Sequence, residues 1–465
     1  MNHDEGRWAL ERRDGWLHWD GCSLADIASR YGTPLYVAST GQLDHACDAI
    51  RRPFEDEGLD TRLFFSFKTN PVPAVLRRIA KLGCGAEVIS PFEYWLASRL
   101  GIGGSLVVVN GTSKPLELLR QAVIDDAALL NVETLEELRL IQSIAAQAGR
   151  RARIGFRINP CLRASPLDFT LATGTRGSHA GFRRGEREWT EALDVARADP
   201  LLEVHGLHFH IGSGVRSARP YLAATRTALK MWDDLLEAGL RPTVLDMGGG
   251  FAAAAVKEFN LLEALRFFGW RRPPATPLRA RATDLPRHVA RICAAALRAF
   301  ARERGISVPT VFLEPGRALV SSSHLLLLKV AAIRPRTGRI PVAVCDAGAM
   351  SLSPLLLSER HAVLSVHRPP GGRTACYDIV GNLPTPLDIV ALHQELPALA
   401  SGSLVAVMDV GAYFTALGNN FGGPRLPIVL IHEGAAELVR ERETFPQMIM
   451  RDLDMRDDNT PQIPA

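Results

Sequence analysis

The chain has 465 residues, of which 47% are hydrophobic and 22% are charged, and its formal net charge at pH 7 is +4. This length suffices for two domains with buried cores, and the composition is ordinary for a globular protein. Arginine is frequent but scattered, so neither the net charge nor a basic cluster favours a nucleic-acid ligand. We therefore expect a globular protein of two domains that does not bind nucleic acid.

Cysteine usage and hydropathy bear on the compartment. The seven cysteines are far apart and include no Cys-x-x-Cys pair, which fits a reducing compartment and offers neither a disulfide framework nor a zinc knuckle. The N-terminus is polar and acidic, unlike a signal peptide. The longest apolar run, 324–333, is short and contains Lys329, so we expect no membrane span and a cytoplasmic protein.

Short apolar runs alternate with amphipathic helical patterns from about residue 41 to 320. Strands are predicted at 62–66, 85–89, 106–109, 129–132, 153–158, 204–208, 243–245 and 310–313, with helices between them. Eight such units predict a (β/α)8 barrel, and an open doubly wound sheet is the alternative because alternation alone does not prove closure. The long intervals 161–184 and 252–285 break the rhythm and are either functional loops or surface insertions.

After about residue 320 the pattern changes to short strands separated by turns. They are predicted at 325–333, 342–346, 362–367, 375–380, 404–408 and 428–431. We therefore expect an all-β domain over 321–450, a sandwich or small barrel. A strand at 34–38 in the N-terminal segment 1–40 is expected to join it, and the polar tail 451–465 is expected to be disordered.

Lys68 directly follows the first predicted barrel strand. The apolar residues 64–67 suit a buried strand, and Asn70-Pro71 turns the chain. Partial desolvation lowers the pKa of a lysine, and the neutral amine is then a nucleophile that forms a Schiff base. The alternative is an ordinary lysine whose ammonium group extends to solvent.

Polar and glycine-rich segments follow three further strands, at 208–214, 246–251 and 314–317. Because the working residues of a (β/α)8 barrel follow the C-terminal ends of its strands, we expect these segments at one mouth. The glycine triplet 248–250 lets backbone N–H groups approach an anion, to which Ser213 and Arg317 add donors. The alternatives are a flexible turn for the triplet, a solvated acid or a partner of Arg317 for Glu314, and a structural core residue for His210.

An amine, an anion cradle and a carboxylate together match the needs of pyridoxal phosphate. Its aldehyde requires an amine, its phosphate a cradle, and its ring nitrogen an acid that keeps it protonated. Lys68, the segments around the glycine triplet, and Glu314 supply these groups, and the flat ring of His210 could stack on the cofactor.

These residues lie in motifs whose order and spacing resemble a known family over about residues 30–435. The motifs are Phe67-Lys68-Thr69-Asn70, His210-Ile211-Gly212-Ser213, Gly248-Gly249-Gly250-Phe251, Glu314-Pro315-Gly316-Arg317, Asp346-Ala347-Gly348 and Gly411-Ala412-Tyr413. The chain resembles the fold type III pyridoxal-phosphate decarboxylases, the ornithine, diaminopimelate and arginine decarboxylase group. The resemblance implies an alanine racemase-type barrel with a C-terminal all-β domain, and a carbon–carbon lyase acting on an amino acid.

The resemblance also implies roles for individual residues. Lys68 would be the Schiff-base lysine, His210 would stack on the ring, and Glu314 would contact the pyridine nitrogen. The phosphate would be bound by Ser213, Gly248, Gly249, Gly250, Arg317 and Tyr413. No metal is implied. The enzyme would be a head-to-tail homodimer with active sites at the interface.

Two segments depart from the family. Its Gly-Pro-x-Cys-(Glu/Asp)-x-x-Asp motif corresponds to 381–388, where Pro384 replaces the cysteine that acts as an acid in the partner's site and Thr385 replaces the acidic residue. Diaminopimelate enzymes carry Arg-Pro-x-Leu-Tyr where this chain has Ser353-Pro354-Leu355-Leu356-Leu357. These changes argue against diaminopimelate and suggest a less polar or bulkier substrate.

Three functions remain open on the sequence. The first is decarboxylation with a non-standard proton source, for which Cys376, Tyr377 and His361 are the neighbouring acids in sequence. The second is racemisation, epimerisation or other chemistry at Cα on the same scaffold, and the third is a non-catalytic regulatory paralogue. Loss of a general acid, which typically contributes about 10²–10⁴-fold, would slow or redirect decarboxylation without abolishing it.

Overall fold

The computed structural model describes residues 5–163, 173–253, 256–274 and 284–452. The expected disordered tail lies, beyond residue 452, outside the described residues, as do parts of both long intervals. The chain divides into two compact units, one of residues 1–41, 271–273 and 324–465, the other of 42–270 and 274–323. Each unit is built around its own sheet.

The N-terminal segment contains more structure than the single strand predicted there. Its elements are β1 (Leu10–Arg13), β2 (Trp16–Trp19), β3 (Cys22–Ser23), α1 (Leu24–Tyr31) and β4 (Leu35–Ser39). Strands β1 to β3 form a small antiparallel sheet, and Ser23 caps α1 by accepting the N–H of Asp26. Charged residues fill β1, so its pattern did not indicate a strand.

The second unit is a closed parallel barrel, which confirms the predicted fold and excludes the open sheet. Its strands are β5 (Thr61–Ser66), β6 (Gly85–Val88), β7 (Val107–Val109), β8 (Leu129–Val132), β9 (Ala152–Arg157), β10 (Leu202–His208), β11 (Val244–Asp246) and β13 (Thr310–Leu313). Parallel pairing of β13 with β5 closes the ring. The C-terminal ends of all eight strands therefore meet at one mouth.

Helices surround the strands of this barrel. They are α2 (Thr40–Asp56), α3 (Pro73–Lys81), α4 (Pro91–Arg99), α5 (Leu116–Ile124), α6 (Leu135–Ala148), α7 (Arg187–Ala198), α8 (Ala218–Glu237) and α10 (Leu285–Arg304). The interval after β11 adds the short strand β12 (Lys257–Glu258) and helix α9 (Leu261–Trp270), and α11 (Arg317–Val320) follows β13. None of the helices within the described residues is long and apolar enough to cross a membrane.

The C-terminal part of the first unit is dominated by β structure, as predicted. Its elements are β14 (His324–Arg336), β15 (Arg339–Cys345), α12 (Ala349–Leu352), β16 (Glu359–Arg360), β17 (Val363–Ser365), β18 (Thr374–Val380), β19 (Ile389–Pro397), β20 (Leu404–Met408), β21 (Ile428–His432), β22 (Ala435–Arg440) and α13 (Phe445–Ile449). The long strand β14 pairs with β4, β15 and β20. N-terminal β4 therefore lies in the middle of this sheet.

The interior of the barrel is filled by an apolar cluster below the mouth. It consists of Phe64, Val108, Ala128, Leu129, Val244 and Phe312. The rings of Phe64 and Phe312 lie with their centroids 4.6 Å apart, on the two strands that close the ring. Because buried aromatic rings contribute most of the apolar area in such a core, this pair stabilises the closure.

We expect Phe312→Ala to lower the free energy of unfolding of the barrel unit by about 3–5 kcal/mol, because it leaves a cavity in a packed core. Urea unfolding followed by tryptophan fluorescence measures the change. The control is Phe268→Ala on α9, whose side chain is exposed and whose loss should cost less than about 1 kcal/mol. Equal losses in the two variants would contradict the assignment of Phe312 to the closure of the barrel.

Candidate active site

Lys68 lies in a short 3-10 turn, Phe67–Thr69, directly after β5. Its Nζ donates to Glu87 Oε2 at 2.8 Å, and the lysine side chain is 36% exposed whereas that of Glu87 is 2% exposed. Lys68 therefore faces the open mouth of the barrel, whereas Glu87 is buried on strand β6. The Ser66 hydroxyl also donates to Glu87 Oε2, at 2.5 Å, so this carboxylate is fixed from the strand that carries the lysine.

Asn110 joins two buried carboxylates across the interior of the barrel. Its Nδ2 donates to Glu87 Oε1 at 3.0 Å and to Glu314 Oε1 at 2.7 Å. Asn110 Oδ1 in turn accepts from Asn131 Nδ2 at 2.8 Å. The ends of β6, β7, β8 and β13 thus share one hydrogen-bonded network, which satisfies acids that would otherwise be buried at a high cost.

Glu314 and Asp246 form a tightly coupled acidic pair beneath the mouth. Burial alone would raise the pKa of Glu314, but the neighbouring His208 and Lys68 lower it to about 2. Burial raises the pKa of Asp246 well above its ordinary value, and the Glu314 carboxylate raises it further. The two pKa shifts have opposite directions, so the negative charge of the pair is favoured on Glu314.

His208, Asp246 and Glu314 each offer a possible metal-ligand atom, and these atoms lie within 4.8 Å of one another. Such a set of residues could also hold a metal ion. Two of these side chains also accept hydrogen bonds from their surroundings. Glu314 accepts from Asn110, and Asp246 Oδ1 accepts the N–H of Gly248 at 2.9 Å.

His210 carries a neutral imidazole ring. The backbone N–H of Gly249 donates to His210 Nδ1 at 3.3 Å, so Nδ1 is the acceptor nitrogen. The pKa of His210 is lowered to about 3, mainly because burial removes its hydration and to a smaller extent because of the positive charges of Arg157 and Lys68. A flat ring without a positive charge is therefore presented beside Lys68, and Arg157 is itself paired with Glu133.

The two glycine-rich segments pack directly on each other. Gly248 and Gly250 have positive φ angles of 61° and 89°, which favour glycine. A Cβ on Gly250 would lie 2.6 Å from the carbonyl oxygen of Gly212, and the N–H of Val215 donates to the carbonyl of Gly250 at 2.9 Å. Glycine is required at position 250 because any side chain would collide with the backbone of the neighbouring segment.

The direction of the N–H groups differs from the sequence expectation. The N–H groups of Gly248 and Gly249 bond inward, to Asp246 and His210, so they fix these two side chains. Ser213 is exposed at the mouth, and Arg317, at the start of α11, lies 3.5 Å from the Glu258 carboxylate. The structure thus brings Lys68, His210, Ser213, the triplet, Glu314 and Arg317 to one mouth.

Tyr413 belongs to the other unit, in the segment after β20. It has a left-handed backbone conformation, with φ 66°, as does Asp409 with φ 61°. The Trp8 indole N–H donates to both carboxylate oxygens of Asp409 at 3.2 Å, and the ring of Phe414 packs edge-on against His361. Buried contacts thus hold both ends of the segment that carries Tyr413.

The loop in which Pro384 replaces the family cysteine is tied down by Asp388. This buried carboxylate accepts the N–H groups of Met350 and Leu383, each at 3.0 Å. Pro384 is exposed on the loop and Thr385 is half-buried. The loop is therefore ordered by its glycine and aspartate, independently of the residue at the cysteine position.

The acids that neighbour this loop in sequence are engaged within their own unit. Tyr377 Oη accepts the N–H of Leu399 at 3.0 Å. His361 contacts the Met408 carbonyl at 2.9 Å and Glu359 at 3.3 Å, and it is buried. Burial raises the pKa of the Cys376 thiol. In the other departing segment, Ser353 is buried and accepts the N–H of Leu355.

The sequence did not identify Glu87, Asn110 or Asn131 as parts of the site, and it placed His208 and Asp246 in segments at the mouth without giving them a role. Each is a buried polar residue at or just beyond the C-terminal end of a barrel strand. A polar residue at this position of an otherwise apolar strand was the available signal.

The fold and the mouth define a cofactor-binding barrel enzyme, and comparison with known proteins specifies its kind. Residues 40–321 match the family model described as pyridoxal-dependent decarboxylase, pyridoxal binding domain. The diaminopimelate decarboxylase of Aquifex aeolicus is 28% identical over 450 residues, 96% of this chain and 98% of that protein. That of Pseudomonas aeruginosa is 30% identical over 443 residues, 94% and 96% of the two chains.

A solved structure shows the same architecture. The crystal structure of diaminopimelate decarboxylase from Methanocaldococcus jannaschii superimposes with a TM-score of 0.83 at 26% identity, covering 96% of this chain and 97% of the other. The chain belongs to the pyridoxal-dependent decarboxylases. It is a carbon–carbon lyase of the amino-acid decarboxylase class, and its cofactor is pyridoxal phosphate, as the sequence predicted.

The lowered pKa of His210 predicts a pH-dependent stability. Because the folded-state pKa of about 3 lies below the ordinary 6.5, the unfolded chain binds the extra proton between these values. Above pH 6.5 the folded state has its full stability with respect to this group, and the free energy of unfolding decreases as the pH falls below 6.5. His210→Gln should therefore reduce the slope of unfolding free energy against pH, between about pH 4 and 6, by up to about 1.4 kcal/mol per pH unit.

Urea titrations of the full chain at several pH values measure this slope. The control is His288→Gln on α10, whose side chain is exposed and which should leave the slope unchanged. A His210→Gln slope equal to that of the unmodified protein would show that His210 is not held neutral.

Proposed function

We propose that the barrel mouth binds pyridoxal phosphate through Lys68, His210 and Glu314 and decarboxylates an amino acid. The observation that carries this proposal is a hydrogen-bonded network at the mouth. The half-buried Lys68 is paired with one end of it, and Glu314, whose pKa is lowered, lies at the other end. When bound, pyridoxal phosphate supplies an electron sink for the pair released when a bond to Cα breaks. The residues around it have the following tasks.

Lys68 provides the amine to which the cofactor aldehyde would be linked, and Glu87 Oε2 orients that amine at 2.8 Å. Glu314, with a pKa near 2, stays ionised and can accept a hydrogen bond from a protonated ring nitrogen, which holds the proton there. His210, neutral and fixed by Gly249, offers a flat face without opposing that positive charge. These charge states agree with the demands of an electron sink.

The anion cradle would consist of Ser213, Gly250 and Arg317, and Tyr413 remains a predicted further donor to the phosphate. Gly248 and Gly249 contribute indirectly, because their N–H groups position Asp246 and His210. Glycine at 248 and 250 is required by the positive φ angles. The residues present fit a phosphate group, since a guanidinium, a hydroxyl and tightly packed glycine backbone converge at one mouth.

We further propose that the enzyme is a head-to-tail homodimer in which loop 381–388 reaches the partner's site with a tip that has no acidic proton. Pro384 carries none, and the sequence-neighbouring Tyr377 and His361 are engaged in their own unit. The proton for Cα would then come from the Lys68 amine or from water. The ordered loop supports a retained role in shaping the site.

The substrate class follows from the same loop and from 353–357. The named relatives act in diaminopimelate decarboxylation, but Ser353 is buried and the neighbouring leucines offer no charge to a distal carboxylate. We propose an amino acid with a less polar or bulkier side chain. An amino-acid panel that includes diaminopimelate, assayed for CO2 release, identifies it, and diaminopimelate as the preferred substrate would overturn this part.

Lys68→Ala should abolish covalent attachment of the cofactor. After borohydride treatment of the holoenzyme, mass spectrometry should find the cofactor mass on the peptide that contains Lys68, and on none in the variant. The control is Lys81→Ala at the end of α3, an exposed lysine that should leave the attachment unchanged. Cofactor mass on another lysine of the unmodified protein would refute the proposal.

Pro384→Cys should restore a proton donor at the tip of the loop. With the best substrate of the panel, we expect kcat to rise by about 10²-fold relative to Pro384→Ser, which fills the same place without an acidic proton. Product made in deuterium oxide reports where the proton is delivered. If the two variants turn over equally, the loop does not reach Cα. Deuterium at Cα of unreacted substrate, with the carboxylate retained, would instead favour racemase-type chemistry.

A further inference from the structure

Glu258 lies on the anion cradle, although no motif pointed to it. It belongs to β12, in the interval that follows the glycine triplet. Its Oε1 lies 3.5 Å from Arg317 Nε, with Glu258 26% and Arg317 10% exposed. A Cβ added to Gly214 would overlap the Glu258 carboxylate, so this carboxylate rests directly on the backbone of Gly214.

The position of Glu258 is set by backbone contacts on the preceding residues. Val215 and Phe251 form an isolated parallel bridge, which joins the start of the interval to the turn 212–214. The Arg216 guanidinium donates to the carbonyl oxygen of Val256. Lys257 is paired with Glu263 of α9 at 3.3 Å. These contacts hold β12 against the cradle, so the carboxylate is placed there by the fold.

We propose that Glu258 is an internal competitor for the cofactor phosphate. Its carboxylate takes the place of the anion at Arg317 and Gly214, and it must turn away before a phosphate group can bind there. The proposal rests on the assignment of Ser213, Gly250 and Arg317 to the phosphate. It adds a residue of this chain that weakens cofactor binding and releases the cofactor more readily.

The physical basis is repulsion between like charges. A carboxylate and a phosphate within a few ångströms of each other repel strongly where solvent is partly excluded. The Arg317 guanidinium, which faces the Glu258 carboxylate, would have to serve both anions. A different role, in which Glu258 orients Arg317 for the phosphate, predicts the opposite sign, because removal of its charge would then weaken phosphate binding.

Glu258→Gln tests whether Glu258 weakens or strengthens phosphate binding, since it removes the charge and keeps the shape of the side chain. Full-length protein freed of cofactor is titrated with inorganic phosphate, followed by thermal shift, and with pyridoxal phosphate, followed by quenching of tryptophan fluorescence. We expect Kd to fall by about 10-fold for both ligands. Pyridoxal, which lacks the phosphate, should bind both proteins equally. Glu55→Gln, which removes an exposed acid of α2 that takes no part in positioning β12, is the control and should change neither Kd.

Unchanged or raised Kd values in Glu258→Gln would overturn the competitor role. An equal gain for pyridoxal would also overturn it, because the effect would then not concern the phosphate. The underlying assignment is tested separately with Arg317→Gln. If that variant binds phosphate as well as the unmodified protein, the cradle lies elsewhere and both proposals fall. If only Arg317→Gln weakens binding, the cradle stands and Glu258 has no part in it.

Discussion

The structure of the barrel mouth depends on the shared amide of Asn110, which donates to Glu87 and to Glu314. Each of these acids is buried, and a buried carboxylate without partners is costly. The Asn110 amide donates a hydrogen bond to each carboxylate, and its own oxygen accepts one from Asn131. The arrangement couples Lys68, through Glu87, to the acid beneath the cofactor position.

This network also divides charge between neighbouring acids. Glu314 and Asp246 cannot both ionise at such proximity, and the surroundings decide between them. His208 and Lys68 favour the ionised form of Glu314, whereas burial and the Glu314 charge raise the pKa of Asp246. The negative charge favoured on Glu314 is a suitable partner for a protonated ring nitrogen.

The sequence allowed the barrel, the lysine and the motif residues to be predicted, because each has a local signal. Lys68 follows an apolar strand, and Gly248 and Gly250 must be glycine for reasons of backbone geometry. Asn110 had no such signal, since its partner Glu314 lies 204 residues away in sequence. The inward direction of the Gly249 N–H, toward His210, likewise depends on a loop that packs from another strand. Short charged β1 and the Pro-ended β19 lacked a clear alternating pattern, so they were missed.

Loop 381–388 shows how chemistry and fold can be separated within one motif. Asp388 holds the loop through the backbone N–H groups of Leu383 and Met350, and a Cβ on Gly381 would lie 2.5 Å from the Cα of Gly348. None of these contacts involves the side chain at position 384. A proline there restricts its own φ without disturbing them. The residue that differs from the family is therefore one that the loop does not need for its shape, so a change of proton source or substrate can occur on an unchanged scaffold.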